Sequence, residues 1–511
     1  MIRGSVFRRC LYCEEDKDES EQDDIMKPVL PYGGIKVIHQ YKNNGYNIVL
    51  DVNSGSVHAV DELVYDFLPF FEAEEKEHRI DSGYMYDKVC STGETYYTED
   101  EAGNRIPATE ADYREAIDEI IALIQGDMLF AEDIYEPYID TFKNRKPVVK
   151  ALCLHIAHDC NLGCKYCFAE EGEYHGRRAL MSFEVGKKAL DFLVKESGSR
   201  RNLEVDFFGG EPLMNWEVVK QLVEYGRSIE EANDKKFRFT LTTNGMLLND
   251  EILEFANKEM GNLVLSIDGR KEINDYMRPT RNGKGSSYDI IVPKFKKAAE
   301  SRNQMNYYVR GTYTHYNTDF CEDVLHLADL GFEQISVEPV VAPEDEAYAL
   351  REEDIPVLFE NYDKLAKEML KRRKEGKPFN FFHFMIDLSG GPCVAKRLSG
   401  CGSGCEYLAV TPWGDFYPCH QFVGEEEFLM GNVDEGIQRE DLRQMFSDCN
   451  VYSKEKCKNC FAKFYCSGGC AANSYHFHGN INDAYDIGCE LQKKRIECAI
   501  MMEVAKNTEA E

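Results

Sequence analysis

The chain lacks any stretch approaching the ~18 consecutive apolar residues of a membrane-spanning helix, so no membrane partner is expected. It also lacks a recognisable secretory leader. Its start, MIRGSVFRRCLYC, is short, basic and Cys-containing, without a long apolar core or an A-x-A-like cleavage site. Cations are scarce: 60 Lys and Arg stand against 91 Asp and Glu, a formal net charge of −31. Nucleic-acid affinity rests on cationic contacts to phosphate, so no nucleic-acid partner is expected either. The acidic balance reads as solubility and solvated helix faces. A hydrophobic content of 43% with 12% aromatics argues for a folded protein, and 511 residues leave room for two to four domains.

What the chain has in quantity is cysteine, 19 residues in all. In a large chain without a secretory signal this points to the cytoplasm and to metal, not to disulfides. Cys160, Cys164 and Cys167 form a C-x3-C-x2-C triplet within HIAHDCNLGCKYC. Three thiolates at this spacing can hold three corners of a 4Fe–4S cluster and leave one iron open. A zinc site or three buried thiols would share the spacing. Most other cysteines follow residue 393, with Cys457, Cys460, Cys466 and Cys470 reading C-x2-C-x5-C-x3-C.

Four regions are expected. Residues 1–30 read as a flexible acidic tail, in which a Cys10/Cys13 pair, to which no metal is assigned, precedes the acidic run Glu14 to Asp24. Residues 31–145 show strands at 35–41 and 46–52 joined by Asn43-Asn44-Gly45, a third strand at 56–60, and helices from about Asp61 and from Thr109. A sheet with helices behind it offers an edge for an extended peptide, or serves as a structural cap. Residues 146–390 alternate strands (150–157, 203–208, 237–242, 263–267, 307–314, 334–340) with helices (183–196, 216–231, 250–258, 290–301, 321–330, 355–374). Six β–α units imply an α/β fold, a parallel sheet curled as a partial (β/α)6 barrel, with chemistry at the C-terminal strand ends. Residues 391–511 are Gly- and Cys-rich, and read as held together more by metal than by a deep apolar core.

The second barrel strand ends in Phe208-Gly209-Gly210-Glu211-Pro212. Such glycines let a ligand approach backbone carbonyls that accept from an ammonium, and Glu211 adds a charge or anchors the turn. The triplet, with Tyr166 before its last Cys, followed by GGEP, resembles the radical S-adenosylmethionine superfamily. That resemblance implies three-Cys ligation of a 4Fe–4S cluster and S-adenosylmethionine contacts at Tyr166, Gly209, Gly210, Glu211, Ser266 and Asp268. Arg310 could pair with the cofactor carboxylate, with Arg278 as a weaker candidate; either could instead be a structural salt bridge.

The C-terminal pattern resembles the SPASM extension, which implies two auxiliary 4Fe–4S clusters and three clusters in all. Cys457, Cys460, Cys466 and Cys489 would hold the outer one, and Cys401, Cys419 and Cys470 the inner one. Cys405 and Cys393 are candidates for the fourth inner ligand, or the site is open for a substrate thiol. Cys153, Cys321, Cys449 and Cys498 read as buried small hydrophobes. Residues 31–145 resemble a winged-helix-like leader-recognition domain. Together with CGSG and EYLAVTPWGDFYPCHQFVG, the chain most resembles maturases of Cys-rich SCIFF peptides, which join a Cys sulfur to a carbon of another residue, typically Thr.

The resemblance implies a Cys-rich precursor peptide with a leader and a reductant such as flavodoxin or ferredoxin as partners. His420 stands where sulfatase-maturing relatives carry an Asp, and is a candidate base, a hydrogen-bond donor to cluster sulfur or a structural His. The alternatives are another oxidation on the same scaffold, such as formylglycine formation, and a non-catalytic Fe–S electron-transfer or peptide-carrier protein.

Overall fold

The computed structural model describes residues 37–508 apart from 76–79, 101–102, 144–147, 173, 175–177, 387 and 389–393. The acidic tail, Cys10, Cys13 and Cys393 lie outside the described residues.

The first unit is a three-stranded antiparallel sheet, β1 (Ile38–Asn43), β2 (Tyr46–Asp51) and β3 (Val57–Val60). The turn between β1 and β2 is the two-residue Asn44-Gly45, both at positive φ (48° and 91°), the backbone a tight hairpin requires. Helices α1 (Glu62–Glu75), α2 (Ser82–Cys90) and α3 (Glu110–Gln125) follow. Thr109 and Asp112 cap α3 reciprocally as a capping box, and Gly126 ends it. Helix α2 is additional to the sequence expectation; Asp81 caps it by accepting from the Tyr84 amide.

β2 alternates as a strand must. Val49 joins Leu63, Val64, Phe67, Ile117 and Ile120 in a local core, while Ile48, Leu50 and Val52 belong to the main core. The unit is therefore not self-contained. Its second face packs on the C-terminal helix α10 (Asp486–Thr508), where Tyr41 Oη donates to the Glu497 carbonyl at 2.9 Å.

The central sheet carries six strands in sequence: β4 (Ala151–His158), β5 (Asn202–Gly209), β6 (Lys236–Thr243), β7 (Met260–Ser266), β8 (Tyr307–Tyr313) and β9 (Gln334–Pro339), each parallel to the next. The intervening helices are α4 (Phe183–Glu196), α5 (Trp216–Ile229), α6 (Asp250–Glu259), α7 (Ser287–Ser301) and α8 (Phe320–Asp329), with α9 (Ile355–Lys374) after β9. Short polar caps start them: Ser182 for α4, Asn249 for α6 and Ser286 for α7. The element boundaries fall within about three residues of those read from periodicity.

The C-terminal region departs from expectation. β10 (Tyr407–Val410) pairs parallel with β4, so that Leu408 lies opposite Leu152, and β11 (Asp415–Tyr417) continues antiparallel. Leu408, Ala409, Val410, Phe416, Ile496 and Met501 all belong to the main core. This region is built on a deep apolar core, because its short YLAV run completes an edge of the barrel sheet. Helix α10 buries residues all round, from Ile487 and Leu491 to Arg495, Cys498 and Val504, so no one-sided stripe betrays it in the sequence. No helix among the described residues is long and apolar enough to cross a membrane.

Candidate functional site: three cysteine groups around the barrel

β4 delivers the chain to the C-terminal edge of the sheet, where residues 159–167 carry the triplet. A second segment clamps this loop: Gly163 N donates to Pro279 O (3.0 Å), Lys165 N to Met277 O (2.9 Å), and Arg281 Nη1 to Cys160 O (2.7 Å). Asn244 Nδ2, after β6, lies 3.6 Å from Cys160 Sγ. Burial pushes the Cys160 thiol up to about 11, helped by Glu211 and Cys167. Burial likewise pushes Cys164 up to about 12, with Cys160 and Cys167 adding to it and Arg278 opposing. Cys160 and Cys164, with Cys167 beside them, thus occupy a partly buried spot where the first two thiolates are costly without a cation.

Gly209 and Gly210 are required by close approach. A Cβ on Gly209 would lie 2.4 Å from Ala157 O, and one on Gly210 would lie 2.2 Å from Asp159 O. Gly209 also has φ of +117°. Gly210 N and Glu211 N donate to Ala157 O and Asp159 O, so GGEP is the abutment of the Cys loop. Glu211 is the anchor of this turn. Its buried carboxylate accepts from Leu213 N (2.9 Å), Thr243 Oγ1 (2.7 Å) and Asn244 N (2.8 Å), which ties the end of β5 to that of β6.

Tyr166 donates to Asp268 at 2.7 Å, and Arg278 Nη1 donates to Tyr166 at 2.8 Å. Asp268 also accepts from Thr312 N at 3.1 Å. Burial raises the Asp268 carboxyl to about 6, while Arg278 and the Tyr166 hydroxyl pull it down. Arg278 is buried, and its Nε finds no partner among the described residues. A buried guanidinium with an orphaned N–H beside a Cys triplet is a ready donor for a carboxylate. Arg310 is placed differently: it faces into the barrel and pairs with Glu338 at 2.8 Å. Ser266 ends β7 in register with Arg310.

Inside the sheet, groups from distant strands face one another. Arg310 of β8 and Glu338 of β9 both act on His420, which follows β11 at the far side, so the sheet is curled around an interior. His420 Nδ1 lies 3.3 Å from Tyr407 Oη of β10. Burial, with Arg310, lowers the His420 imidazole to about 4. Phe168 and Phe208 pack against its ring. Asp206 on β5 accepts from Thr242 Oγ1 of β6 at 3.2 Å. In the strand LEVDFF Asp206 shares its face with Glu204, so alternation alone did not mark it out. Beneath the triplet, His155 Nδ1 and His158 Nε2 meet at 3.0 Å, and both rings contact Tyr174.

The C-terminal cysteines fall into two groups. Cys419 is buried, its thiol pushed far up first by burial and then by Cys470 and Cys401; Cys470 in turn feels Cys401. Cys457, Cys466 and Cys489 are each pushed up to about 11, first by burial and then by one another and Cys460. Cys405 is buried beside the first group, where its thiol donates to Arg443 O at 3.2 Å. A small cavity of about 30 Å³ is lined by Cys401, Cys405 and Cys449 together with Lys454 and Asn450. Among the described residues, no three His, Cys, Asp or Glu side chains close on a single metal ion. An all-thiol donor set suits soft metal centres, and a four-iron cubane spreads its thiolates wider than one ion does. The triplet and both C-terminal groups fit such a cluster in donor chemistry.

The 4Fe-4S single cluster domain family matches residues 149–292. The cysteine-type anaerobic sulfatase-maturating enzyme of Clostridium novyi is 27% identical over 66% of this chain and 92% of its own. The radical SAM cyclopropyl synthase TigE of Paramaledivibacter caminithermalis is 21% identical over 70% of this chain and 75% of its own. Among solved structures, native anSMEcpe with bound AdoMet superposes with a TM-score of 0.58 at 19% identity, covering 71% of this chain and 100% of that one. The chain is therefore a homologue of radical SAM enzymes with their mixed α/β fold. More narrowly, its homologues include SPASM-type anaerobic sulfatase-maturating enzymes.

Proposed function

We propose that the chain is a peptide maturase that forms intramolecular thioether cross-links, from Cys sulfur to a carbon probed first at Thr, in a Cys-rich ribosomal precursor peptide. Cys160, Cys164 and Cys167 hold the cluster that binds S-adenosylmethionine. When bound and reduced, this pair supplies a carbon-centred radical that takes a hydrogen atom from an unactivated C–H bond. Arg278, held by Tyr166 and through it by Asp268, offers its orphaned Nε to the cofactor carboxylate. Gly209 and Gly210 leave backbone free for the cofactor ammonium, and Glu211 fixes their turn. Ser266 and Arg310 lie further along the same strand ends. Cys401, Cys419 and Cys470 hold an inner auxiliary cluster, completed by Cys405 or left open to a substrate thiol. Cys457, Cys460, Cys466 and Cys489 hold an outer one.

Residues 31–145 are a leader-recognition unit of winged-helix-like type. Among the described residues β1 and β3 each pair only with β2, leaving two sheet edges to which an extended peptide could add. The electron donor is a small reductant such as flavodoxin or ferredoxin. The observation that supports the reading is that His420, Tyr407, Arg310 and Asp206 neighbour one another inside the sheet, with Tyr407 beside Cys419 and Arg310 near Tyr166 of the triplet loop.

The test incubates reduced protein, S-adenosylmethionine and a Cys-rich peptide. The product should be lighter by two hydrogens, keep its sulfur and resist thiol alkylation. Deoxyadenosine with an unchanged peptide mass overturns the substrate assignment, and a formylglycine product would favour the sulfatase-maturing reading that the Clostridium novyi relative supports.

A further inference from the structure

The barrel interior holds two inward carboxylates among the groups described above, and they are not equivalent. Glu338 is committed to Arg310 at 2.8 Å and faces His383 at 3.8 Å. Asp206 receives one hydrogen bond, from Thr242 to Oδ1; its Oδ2 accepts none among the described residues. The residue is half-buried, so that oxygen remains reachable from the interior while protein surrounds the strand. Cys153 is its register neighbour on β4, Tyr407 approaches from β10 and Arg310 from β8, and Glu204 precedes it on its own strand. Through Tyr407 it borders His420 and Cys419; through Arg310 it borders Tyr166. The carboxylate thus sits in the interior between the triplet and the inner Cys group.

Joining S–H and C–H into C–S releases a hydrogen atom, a proton and an electron. We propose that Asp206 accepts the proton released by the substrate cysteine thiol as the carbon–sulfur bond forms. This rests on the thioether reading above. The C–H bond breaks homolytically, its hydrogen atom going to the cofactor-derived radical. The S–H bond breaks with its proton passing to Asp206 Oδ2, sulfur binds the carbon, and the surplus electron goes to an oxidised iron–sulfur cluster. The site is suited to this proton. Burial pushes the Asp206 carboxyl up to about 7, against the Thr242 hydrogen bond and the Arg310 charge that pull it down, with Glu204 adding to the rise. A base poised near the working pH gives the best compromise between availability and strength. His420, the other candidate, instead meets the Tyr407 hydroxyl and lies beside Cys419.

The test measures cross-linked peptide per deoxyadenosine across neutral pH. In the wild type the ratio should rise with pH through neutrality. Asp206→Asn should lower it about 10²-fold or more and abolish that rise, with iron and sulfide content unchanged. Thr242→Val, a gentler change, should keep the product but move the rise to higher pH, because it removes the bond that stabilises the carboxylate. An Asp206→Asn ratio within threefold of wild type, or a rise that survives it and vanishes in His420→Gln, overturns the proposal. A second readout is independent of product. Infrared difference spectra of the apoprotein across neutral pH should contain a carboxyl band absent from Asp206→Asn. Its absence from the wild type overturns the role of Asp206 whatever the peptide does, whereas its presence without any cross-linked product faults only the thioether reading.

Discussion

The Cys triplet and the C-terminal cysteines are built by opposite means. The triplet spans eight residues of one loop, and its geometry comes from neighbours: the GGEP turn beneath it, Glu211 behind that turn, and residues 277–281 across it. The C-terminal groups draw on residues from 401 to 489. They are brought together by the chain's course, by β10 docking on β4 and by buried contacts reaching back to the N-terminal region. One such contact is an ion pair between Lys463 Nζ and Asp133 Oδ2 at 2.7 Å, both side chains 2% exposed, with Tyr452 Oη also donating to Asp133. The lesson is that a local cluster site depends on strand-end backbone, whereas a distributed one depends on tertiary packing.

The comparison can be broken most completely at the triplet. Replacing Cys160, Cys164 and Cys167 together by Ala should reduce deoxyadenosine formation to background and leave the C-terminal iron in place; activity that survives refutes the assignment. Next in size is the buried ion pair. Lys463→Ala leaves Asp133 buried without its cation, and denaturant unfolding of the apoprotein should show a loss of about 3–5 kcal/mol. Asp133→Leu combined with Lys463→Met should recover most of it; if the double variant is as unstable as the single, the pair is not the cause.

Gly210→Ala should act at the triplet alone. A Cβ 2.2 Å from Asp159 O must displace the loop, costing about 1–3 kcal/mol and the first cluster's iron while sparing the others. Arg278→Lys, which removes the planar fork, should weaken S-adenosylmethionine binding about tenfold, or about 1.4 kcal/mol, by equilibrium dialysis. Arg310→Lys should do so less, because that guanidinium is engaged with Glu338.

The smallest effect concerns pH. Burial alone would raise the Asp133 carboxyl, but Lys463 and Tyr452 hold it below the usual carboxylate range. Its contribution is therefore complete above the unfolded-state value, about 3.9, and is lost as pH falls through the lower folded value. Unfolding free energies of wild type and the Leu/Met double variant should stay close above that window and part below it, where only the wild type loses this contribution.

Much of the fold could be read before any coordinates. Period-2 and period-3.6 patterns gave six β–α units, Asn44-Gly45 gave the hairpin, and Thr109 with Asp112 gave the start of α3. The triplet was legible because its spacing is local. What escaped was long-range. The YLAV run is too short to announce that it completes a sheet begun 250 residues earlier, and α10, buried all round, shows no stripe. That residues 277–281 fold back over the Cys loop, bringing Arg278 to Tyr166, could not be read from sequence order. Asp206 escaped because inward and outward faces of a curled sheet are assigned only once the curl is known.

The central claim is that three separate Cys groups hold three clusters. It is tested most directly by counting iron and sulfide in the anaerobically reconstituted protein and in variants emptied of one group at a time. The wild type should hold about twelve irons per chain. Removing the 160–164–167 group, the 401–419–470 group or the 457–460–466–489 group should each cost about a third. A wild-type content of about four irons, all lost with the triplet, would contradict it.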